Sequence, residues 1–274
     1  MSVLKPASPS SVLSNAAFAL RPSACPGLLR VVAALDGGIC RIKLPGGALS
    51  ATQATCIAEA SERHAAGVIE VTNRANLQVR GVRAGHEAAL IAALLDAGLG
   101  PTAPGALSAA AADDVRNLMV SPVAGRDPFA LIDTMPLARE LLALLQSEAR
   151  FVALSPKFAL LLDGGERLAR VDHPHDIWLA ATKTEHGVQF SLGLAGCPPT
   201  TAAPATATAE SAVLRIPPAQ VIAAIRALLH TFLDLAATDA TRMRHLLAVS
   251  SVDAVLHHAS HHAGFTLARD PALA

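Results

Sequence analysis

The sequence predicts an α+β protein made of two units, and three observations support this. The chain has 274 residues, enough for one large domain or two smaller ones. Between residues 28 and 97, short β-type runs and longer helical runs follow each other in the order β-β-α-β-β-α. Residues 101–112, rich in Ala, Gly and Pro, then separate this unit from a second one. We expect domains over residues 21–99 and 100–274, preceded by a flexible leader over residues 1–20.

The first unit begins with a predicted hairpin. Apolar runs over residues 28–34 and 39–44 flank a turn signal at residues 36–38. Ser50, followed by Gln53, has the spacing of a capping box and indicates the start of a helix. The two helices predicted for this unit cover residues 51–66 and 86–97.

Residues 67–82 are predicted to form two short strands around a polar corner. The polar side chains of this stretch and its continuation are Thr72, Asn73, Arg74, Asn76, Gln78, Arg80 and Arg83. Arginine offers a planar fork of donors, and amides can complete the remaining acceptor sites, so this set suits the capture of carboxylates. A polar hairpin at a solvated sheet edge is the alternative, and the residues alone leave both interpretations open.

The second unit is predicted from apolar residues that recur with the period of a strand in some segments and of a helix in others. Its strands are expected within residues 113–122, with Arg116 at the start, and over residues 158–162, 176–183 and 188–194. Its helices are expected over residues 136–149, 221–235 and 253–262, with Thr134 near the start of the first one. A tract of Pro, Thr and Ala over residues 198–209 is predicted to be a surface excursion.

The composition argues against several classes of partner. Lys plus Arg equals Asp plus Glu at 22 each, so no global field attracts nucleic acid or an anionic membrane. Aromatic residues make up 3% of the chain, which argues against a platform for stacking bases. The sequence shows neither an uninterrupted apolar run of membrane-spanning length nor a compact signal region. We expect a cytoplasmic protein without nucleic-acid or membrane partners.

Two further patterns could indicate a metal site and a dinucleotide site, but both are weak signals. The four histidines near the last predicted helix, which form two i, i+4 pairs, are His257, His258, His261 and His262. Such pairs can bind a metal, but no Glu lies in the same motif, and we predict a solvated helix end without a metal. Residues 163–165, Asp-Gly-Gly, lack the rest of a dinucleotide fingerprint and are predicted to form a turn.

Several motifs together resemble the sirohaem-dependent nitrite and sulfite reductases. They are Cys40-Arg41-Ile42-Lys43-Leu44-Pro45-Gly46-Gly47, Leu49-Ser50, Val71-Thr72-Asn73-Arg74 through Gln78, and Arg116-Asn117 with Ser121-Pro122. Residues 21–28 resemble more particularly the precorrin-3B synthases, the cobalamin-pathway branch of that family. The pairing of T-N-R-x-x-x-Q with an upstream R-x-K-L-P-G-G is specific, and the resemblance extends over roughly residues 20–255.

The resemblance implies a ferredoxin-like half-domain followed by an α/β domain of the nitrite/sulfite reductase type. In that family the two-domain unit occurs twice per chain, with the macrocycle between the copies, and this sequence resembles the first copy. Carried over by motif, the implied ligands of the tetrapyrrole are Arg41, Thr72, Arg74, Gln78 and Arg116, and Lys157 is the implied catalytic residue. The second lysine of the family's lysine segment is replaced here by Ala159.

The resemblance also implies cofactors and partners. Sirohaem or a related anionic tetrapyrrole is expected, and a 4Fe-4S cluster is expected for the family. The family's four cysteine ligands form two closely spaced pairs in the second copy. The scattered cysteines of this chain, Cys25, Cys40, Cys56 and Cys197, do not reproduce them.

Two main hypotheses follow from this resemblance. The first is a precorrin-3B synthase-like oxidoreductase of cobalamin biosynthesis, or a subunit of one, that needs a cluster-bearing half. The alternative is a non-catalytic tetrapyrrole or sirohaem-binding module, and a decayed, inactive fragment is a further possibility. Because a single copy leaves a sheet edge uncovered, the expected partner is a second copy in a homodimer or a separately encoded cluster-bearing half.

Overall fold

A computed structural model describes residues 25–102, 107–169, 171–199 and 212–273. It confirms the predicted α+β class, with a four-stranded sheet followed by a five-stranded sheet. Each sheet belongs to its own large hydrophobic core. The predicted leader and nearly all of the Pro, Thr and Ala tract lie outside the described residues. Among the described helices, none has both the length and the apolar content needed to cross a membrane.

The first unit has the predicted order β-β-α-β-β-α. Its elements are β1 (Val32–Ala34), β2 (Gly37–Ile42), α1 (Ala51–His64), β3 (Val68–Val71), β4 (Leu77–Val82) and α2 (Glu87–Asp96). The strands are antiparallel in the order β1-β2-β4-β3. The predicted capping box is present, because Ser50 Oγ accepts from the Gln53 amide and Gln53 Oε1 accepts from the Ser50 amide, both at 3.1 Å.

The central strands and the two helices of this unit share one core. Cys40 and Val79 from the sheet pack with Ile57 of α1 and with Leu90 and Leu94 of α2. By contrast, every residue of the edge strand β3 is exposed. The unit therefore has a covered centre and an uncovered apolar edge.

The second unit is larger and its sheet is mixed. Its elements are α3 (Ala109–Val115), β5 (Leu118–Val120), α4 (Met135–Ser147), β6 (Leu160–Asp163), β7 (Ile177–Thr184), β8 (Gly187–Leu194), β9 (Leu214–Ile216), α5 (Val221–Leu235), α6 (Met243–Leu247) and α7 (Val252–Ala263). The strand order is β5-β6-β7-β8-β9, with parallel pairing from β5 to β7 and antiparallel pairing from β7 to β9.

The structure corrects the sequence prediction at the start of this unit. Residues 109–115 form helix α3, where we expected the end of a linker and the start of a strand. Ser108 caps this helix by accepting from the Ala111 amide at 3.4 Å, and the strand begins only at Leu118. Strand β9 and helix α6 were also missed, because each is too short to show a clear period.

Buried and half-buried polar contacts at the C-terminal end of α3 join the two units. Asp113 Oδ2 accepts from the Leu28 amide at 2.9 Å, and Asp114 forms an ion pair with Arg30. Lys43 Nζ donates to the carbonyl oxygens of Asp113 and Asp114, both at 2.7 Å. These contacts fix β2 against α3 and so determine the shape of the cleft between the units.

Candidate functional site

The polar corner between β3 and β4 is a closed, hydrogen-bonded turn. Thr72 Oγ1 accepts from the Asn76 amide at 3.1 Å and from the Arg74 amide at 3.4 Å. Asn76 Oδ1 accepts from the Leu44 amide at 3.0 Å, which ties the corner to the end of β2. Ala75 adopts a φ of 56°, a conformation that non-glycine residues adopt only when the surroundings hold them there. The corner therefore holds Arg74 in a defined position.

Arg41 is oriented by its cross-strand neighbour. It lies opposite Gln78 in the β2-β4 register, and its Nη2 donates to Gln78 Oε1 at 2.9 Å. Gln78 Nε2 in turn donates to Glu70 at 3.3 Å. The buried Nε of Arg41 has no hydrogen-bond partner among the described residues. An unsatisfied buried donor of this kind is costly, and a bound acceptor would satisfy it.

The second unit contributes side chains to the same cleft from three loops. Arg74 Nε donates to His173 Nε2 at 3.1 Å, which connects the corner to the loop before β7. Arg242, just before α6, forms a buried ion pair with Asp176 at 2.9 Å. Lys157 lies exposed in the turn before β6, where its amide donates to Ser155 Oγ at 3.2 Å.

A cavity of about 380 Å³ opens between the two units, and its lining is basic. The basic side chains of the lining are Arg41, Lys43, Arg74, Lys157, His173 and Arg242. Among the described residues, no Asp or Glu belongs to this lining, although the whole chain has a formal net charge of zero. Among the described ion pairs, none engages Arg41, Arg74 or Lys157. A local excess of positive charge in a partly enclosed cleft favours anions, even on a neutral protein.

Burial lowers the pKa of two basic groups around this cavity. It lowers the pKa of Arg74, with Arg242 and Arg41 adding to the effect and Asp176 opposing it. Burial also lowers the pKa of Lys43 to about 8, despite the opposing charges of Asp113 and Asp114. A bound anion would offset this cost, because an opposite charge favours the protonated form.

Four of the six side chains inferred from the sequence line this cavity, namely Arg41, Thr72, Arg74 and Lys157. The other two, Gln78 and Arg116, do not. Gln78 supports Arg41, as described above. Arg116 is 7% exposed and donates to the carbonyl oxygens of Leu99 and Gly100, so it joins the units from inside.

A small space of about 20 Å³ lies behind the main cavity, between Arg74, Arg116 and His175. It is large enough for about one water molecule. Burial, reinforced by the nearby His173, lowers the pKa of His175 to about 3, so this ring is neutral. Arg116 therefore reaches the back of Arg74 rather than the main cavity itself.

Several functional candidates were missed in the sequence. Arg242 and His173 carry no local motif, and only the tertiary fold brings them to the corner. Lys43 belongs to a motif already noted, but its burial in the cavity lining was not foreseen. Asn117, beside Arg116 in the sequence, lines the cavity and donates to the carbonyl oxygens of Asp114 and Pro156.

The cysteines do not fit an iron–sulfur cluster. Cys40 is buried in the first core, and burial raises the pKa of its thiol to about 12. Cys56 lies on α1, where its thiol contacts the Ala93 carbonyl oxygen at 3.4 Å. No group of three or more potential metal ligands in the described part of the chain contains a cysteine. A 4Fe-4S cluster needs four converging thiolates, and these residues do not provide them.

Comparison with known proteins gives a consistent assignment. Residues 34–97 match the nitrite/sulfite reductase ferredoxin-like half domain, and residues 111–265 match the nitrite and sulphite reductase 4Fe-4S domain. The structure of the Mycobacterium tuberculosis NirA protein superimposes with a TM-score of 0.65 over 85% of this chain and 42% of that one, at 17% sequence identity.

Two curated relatives are similar in sequence. A precorrin-3B synthase from Sinorhizobium sp is 33% identical over 177 residues, covering 65% of this chain and 36% of the relative. A ferredoxin–nitrite reductase from Leptolyngbya laminosa is 33% identical over 129 residues, covering 45% of this chain and 24% of the relative. The chain thus spans only about a third or less of the length of these relatives. By its domain matches and its fold, the chain belongs to the nitrite/sulfite reductase family.

Proposed function

We propose that this protein binds an anionic tetrapyrrole in the cleft between its two units and acts as a precorrin-3B synthase-like oxidoreductase, or as a subunit of one, in cobalamin biosynthesis. The observation that carries this proposal is the basic cavity, whose described lining contains no acidic residue. The similarity to a precorrin-3B synthase supports the choice of substrate class.

The chemistry of the lining suits carboxylates on a rigid macrocycle. Arg41 and Arg74 can each offer a planar fork of donors, and the unsatisfied Nε of Arg41 provides a further one. Asn73 and Asn76, which also line the cavity, carry amides that complement acceptors between the two forks. Several carboxylates on one ligand could therefore be bound together.

The residues also suggest a division of roles. In this proposal Arg41 and Arg74 bind and orient the tetrapyrrole, Thr72 and Gln78 hold them in place, and Arg116 supports the cleft from behind. Lys157, exposed on its turn and part of the cavity lining, is the catalytic residue in this proposal. Sirohaem, when it is the bound tetrapyrrole, supplies a redox-active iron.

Electron transfer through a 4Fe-4S cluster would need another source of thiolates. The cysteines described above do not converge, so we propose that a separate cluster-bearing half provides the cluster. The exposed edge strand β3 is a suitable place for such a partner, since Val68, Ile69 and Val71 are 49%, 38% and 79% exposed. Exposed apolar edges are normally covered.

A second ferredoxin-like half-domain is the partner that fits this edge, by adding a strand to β3. A homodimer would supply it from a second copy, whereas a cluster-bearing chain would supply it together with the thiolates. Light scattering on the purified protein, combined with co-purification from cells, separates the two. A mass near 28.1 kDa at every concentration, with no co-purifying partner, would refute both.

The binding proposal is tested by absorbance titration with sirohaem and with uroporphyrin, an octacarboxylate without iron. Arg74→Ala removes a charge-assisted contact of about 1.5 to 3 kcal/mol, so affinity should fall about tenfold or more. Arg139→Ala is the matched control, because Arg139 is exposed on α4 and does not line the cavity. Equal affinities of Arg74→Ala and Arg139→Ala would exclude the cleft as the binding site.

A non-catalytic tetrapyrrole carrier is the second candidate. It is favoured by Ala159, which stands where the reductases have a second lysine, and by the scattered cysteines. Tetrapyrrole binding with no turnover, even with an electron donor and a cluster-bearing partner present, would support the carrier over the enzyme.

A further inference from the structure

Three potential metal ligands converge between α5 and α7. Asp234 lies in the last turn of α5, and His258 and His262 lie one turn apart on α7. Asp234 Oδ2 is 3.0 Å from His258 Nε2 and 2.7 Å from His262 Nε2. None of these residues lines the basic cleft.

The surrounding packing fixes this arrangement in advance. The i, i+4 spacing places both imidazoles on one face of α7, with ring centroids 5.4 Å apart. Val255, Leu256 and Ala259 of the same helix are buried in the second core, so α7 is held against its neighbours. The three ligands therefore come from two helices that are already packed together.

Charged and aromatic neighbours surround the group from both sides. Arg150 forms an ion pair with Asp234 through Oδ1, which leaves Oδ2 to the two histidines. Burial by itself would raise the pKa of Asp234, but hydrogen bonds from His258, Arg150 and His262 lower it below its ordinary value. His230 stacks on His262 with ring centroids 5.4 Å apart, and its own ring lies near Glu148. Oδ2 of Asp234 thus faces both imidazoles, while Arg150 holds the other carboxylate oxygen.

We propose that Asp234, His258 and His262 form a site for Zn²⁺ or a similar divalent transition metal, with the remaining position open to water. The three ligand atoms all lie within 4.8 Å of one another. Tetrahedral zinc with ligands at about 2.0 to 2.2 Å places those ligands roughly 3.4 Å apart, so the carboxylate-to-imidazole distances of 3.0 and 2.7 Å need to lengthen by less than about 1 Å to admit the ion. Two imidazoles and one carboxylate are a common zinc donor set.

The competing explanation is a cluster of ion pairs in which protonated imidazoles donate to Asp234. The two explanations differ in the protonation of the imidazoles, because metal binding requires neutral imidazoles and releases any protons that they carry. The neighbouring pair His257 and His261 provides an internal control. It has the same spacing on the same helix, with ring centroids 5.1 Å apart, but among the described residues it belongs to no three-ligand group with a carboxylate.

Zinc affinity is measured by competition with a chromophoric chelator, on the full chain stripped of metal. We expect one ion per chain for the wild type and for the His257→Ala, His261→Ala control. The His258→Ala, His262→Ala variant should bind at least about tenfold more weakly, since it keeps a single ligand of the three. Equal affinity of this variant and the wild type, or an equal loss in the control, would overturn the proposal.

A second measurement does not depend on the histidine variants folding normally. Asp234→Asn keeps the shape of the side chain and removes its charge, so it should also weaken zinc binding. Cobalt substitution should give the intense visible absorption of a tetrahedral site in the wild type and in the control pair, and lose it in Asp234→Asn. Zinc should also raise the melting temperature of the wild type, reversibly with a chelator. An unchanged cobalt spectrum in Asp234→Asn would show that the ion binds elsewhere.

Discussion

Arg242 links the stability of the second unit to the shape of the cleft, and replacing it with alanine tests that link. Its partner Asp176 is 1% exposed and accepts from Arg242 Nε at 2.9 Å, from the Met243 amide at 2.7 Å and from the Ala159 amide at 2.8 Å. One carboxylate thus joins the start of β7, the approach to β6 and the start of α6. Arg242→Ala leaves this buried charge without its cation.

The structure sets the expected magnitude. Removing one partner of a buried ion pair costs about 3 to 5 kcal/mol, because the other charge stays buried and unpaired. Two backbone donors remain on Asp176, and the side chain of Arg242 is 15% exposed, so we expect the lower end of that range, about 3 kcal/mol. For a protein of this size, that corresponds to a fall in melting temperature of about 6 to 12 °C.

Thermal unfolding, monitored by circular dichroism, measures the loss of stability. A uroporphyrin titration of the same variant measures the affinity of the cleft for the ligand. Affinity should fall as well, since Arg242 lines the cavity. Arg139→Ala should change neither quantity. A fall in melting temperature below about 2 °C would mean that solvent already screens the Arg242–Asp176 pair, and the reasoning from burial would be wrong.

Three further predictions concern buried groups. Burial lowers the pKa of Lys43 from 10.5 to about 8. Between pH 8 and pH 10.5 the unfolded chain therefore binds a proton at Lys43 that the folded chain lacks. The free energy of unfolding, relative to Lys43→Met, should therefore rise from pH 8 to 10.5, by at most about 3 kcal/mol in chemical denaturation; a fall would contradict the pKa shift. Cys40, whose pKa burial raises to about 12, should resist a thiol reagent in the native protein and react in denaturant, as peptide mass spectrometry would show. Gly193→Ala would place a Cβ 2.1 Å from Cε2 of Trp178, costing about 1 to 3 kcal/mol and altering the fluorescence of this single tryptophan; an unchanged emission spectrum would show that the ring moves without cost.

Much of the fold follows from local sequence signals. The capping box at Ser50 starts α1 where predicted. The apolar residues that recur at helical spacing predict α5 at the residues where it forms, Val221–Leu235. The capping box acts through nearby backbone groups, and the apolar spacing of α5 repeats within one element, so the sequence shows both directly. Short elements such as α6 lack enough residues to establish a period, and α3 was hidden in an alanine-rich stretch that resembled a linker.

The candidate site divides in the same way. The polar corner was predicted from the sequence, because the Thr72 hydroxyl and the Arg74 amide are two residues apart and their hydrogen bond is local. It also supplied the motif that contains Arg41 and Lys43. Arg116 is enclosed between the units only in the folded protein. In the same way, Arg242 is held at the cleft by its ion pair with Asp176, which lies 66 residues away in the sequence. Such distant pairs form only when the two units and their loops pack, because the free energy of each contact depends on burial that no local pattern encodes.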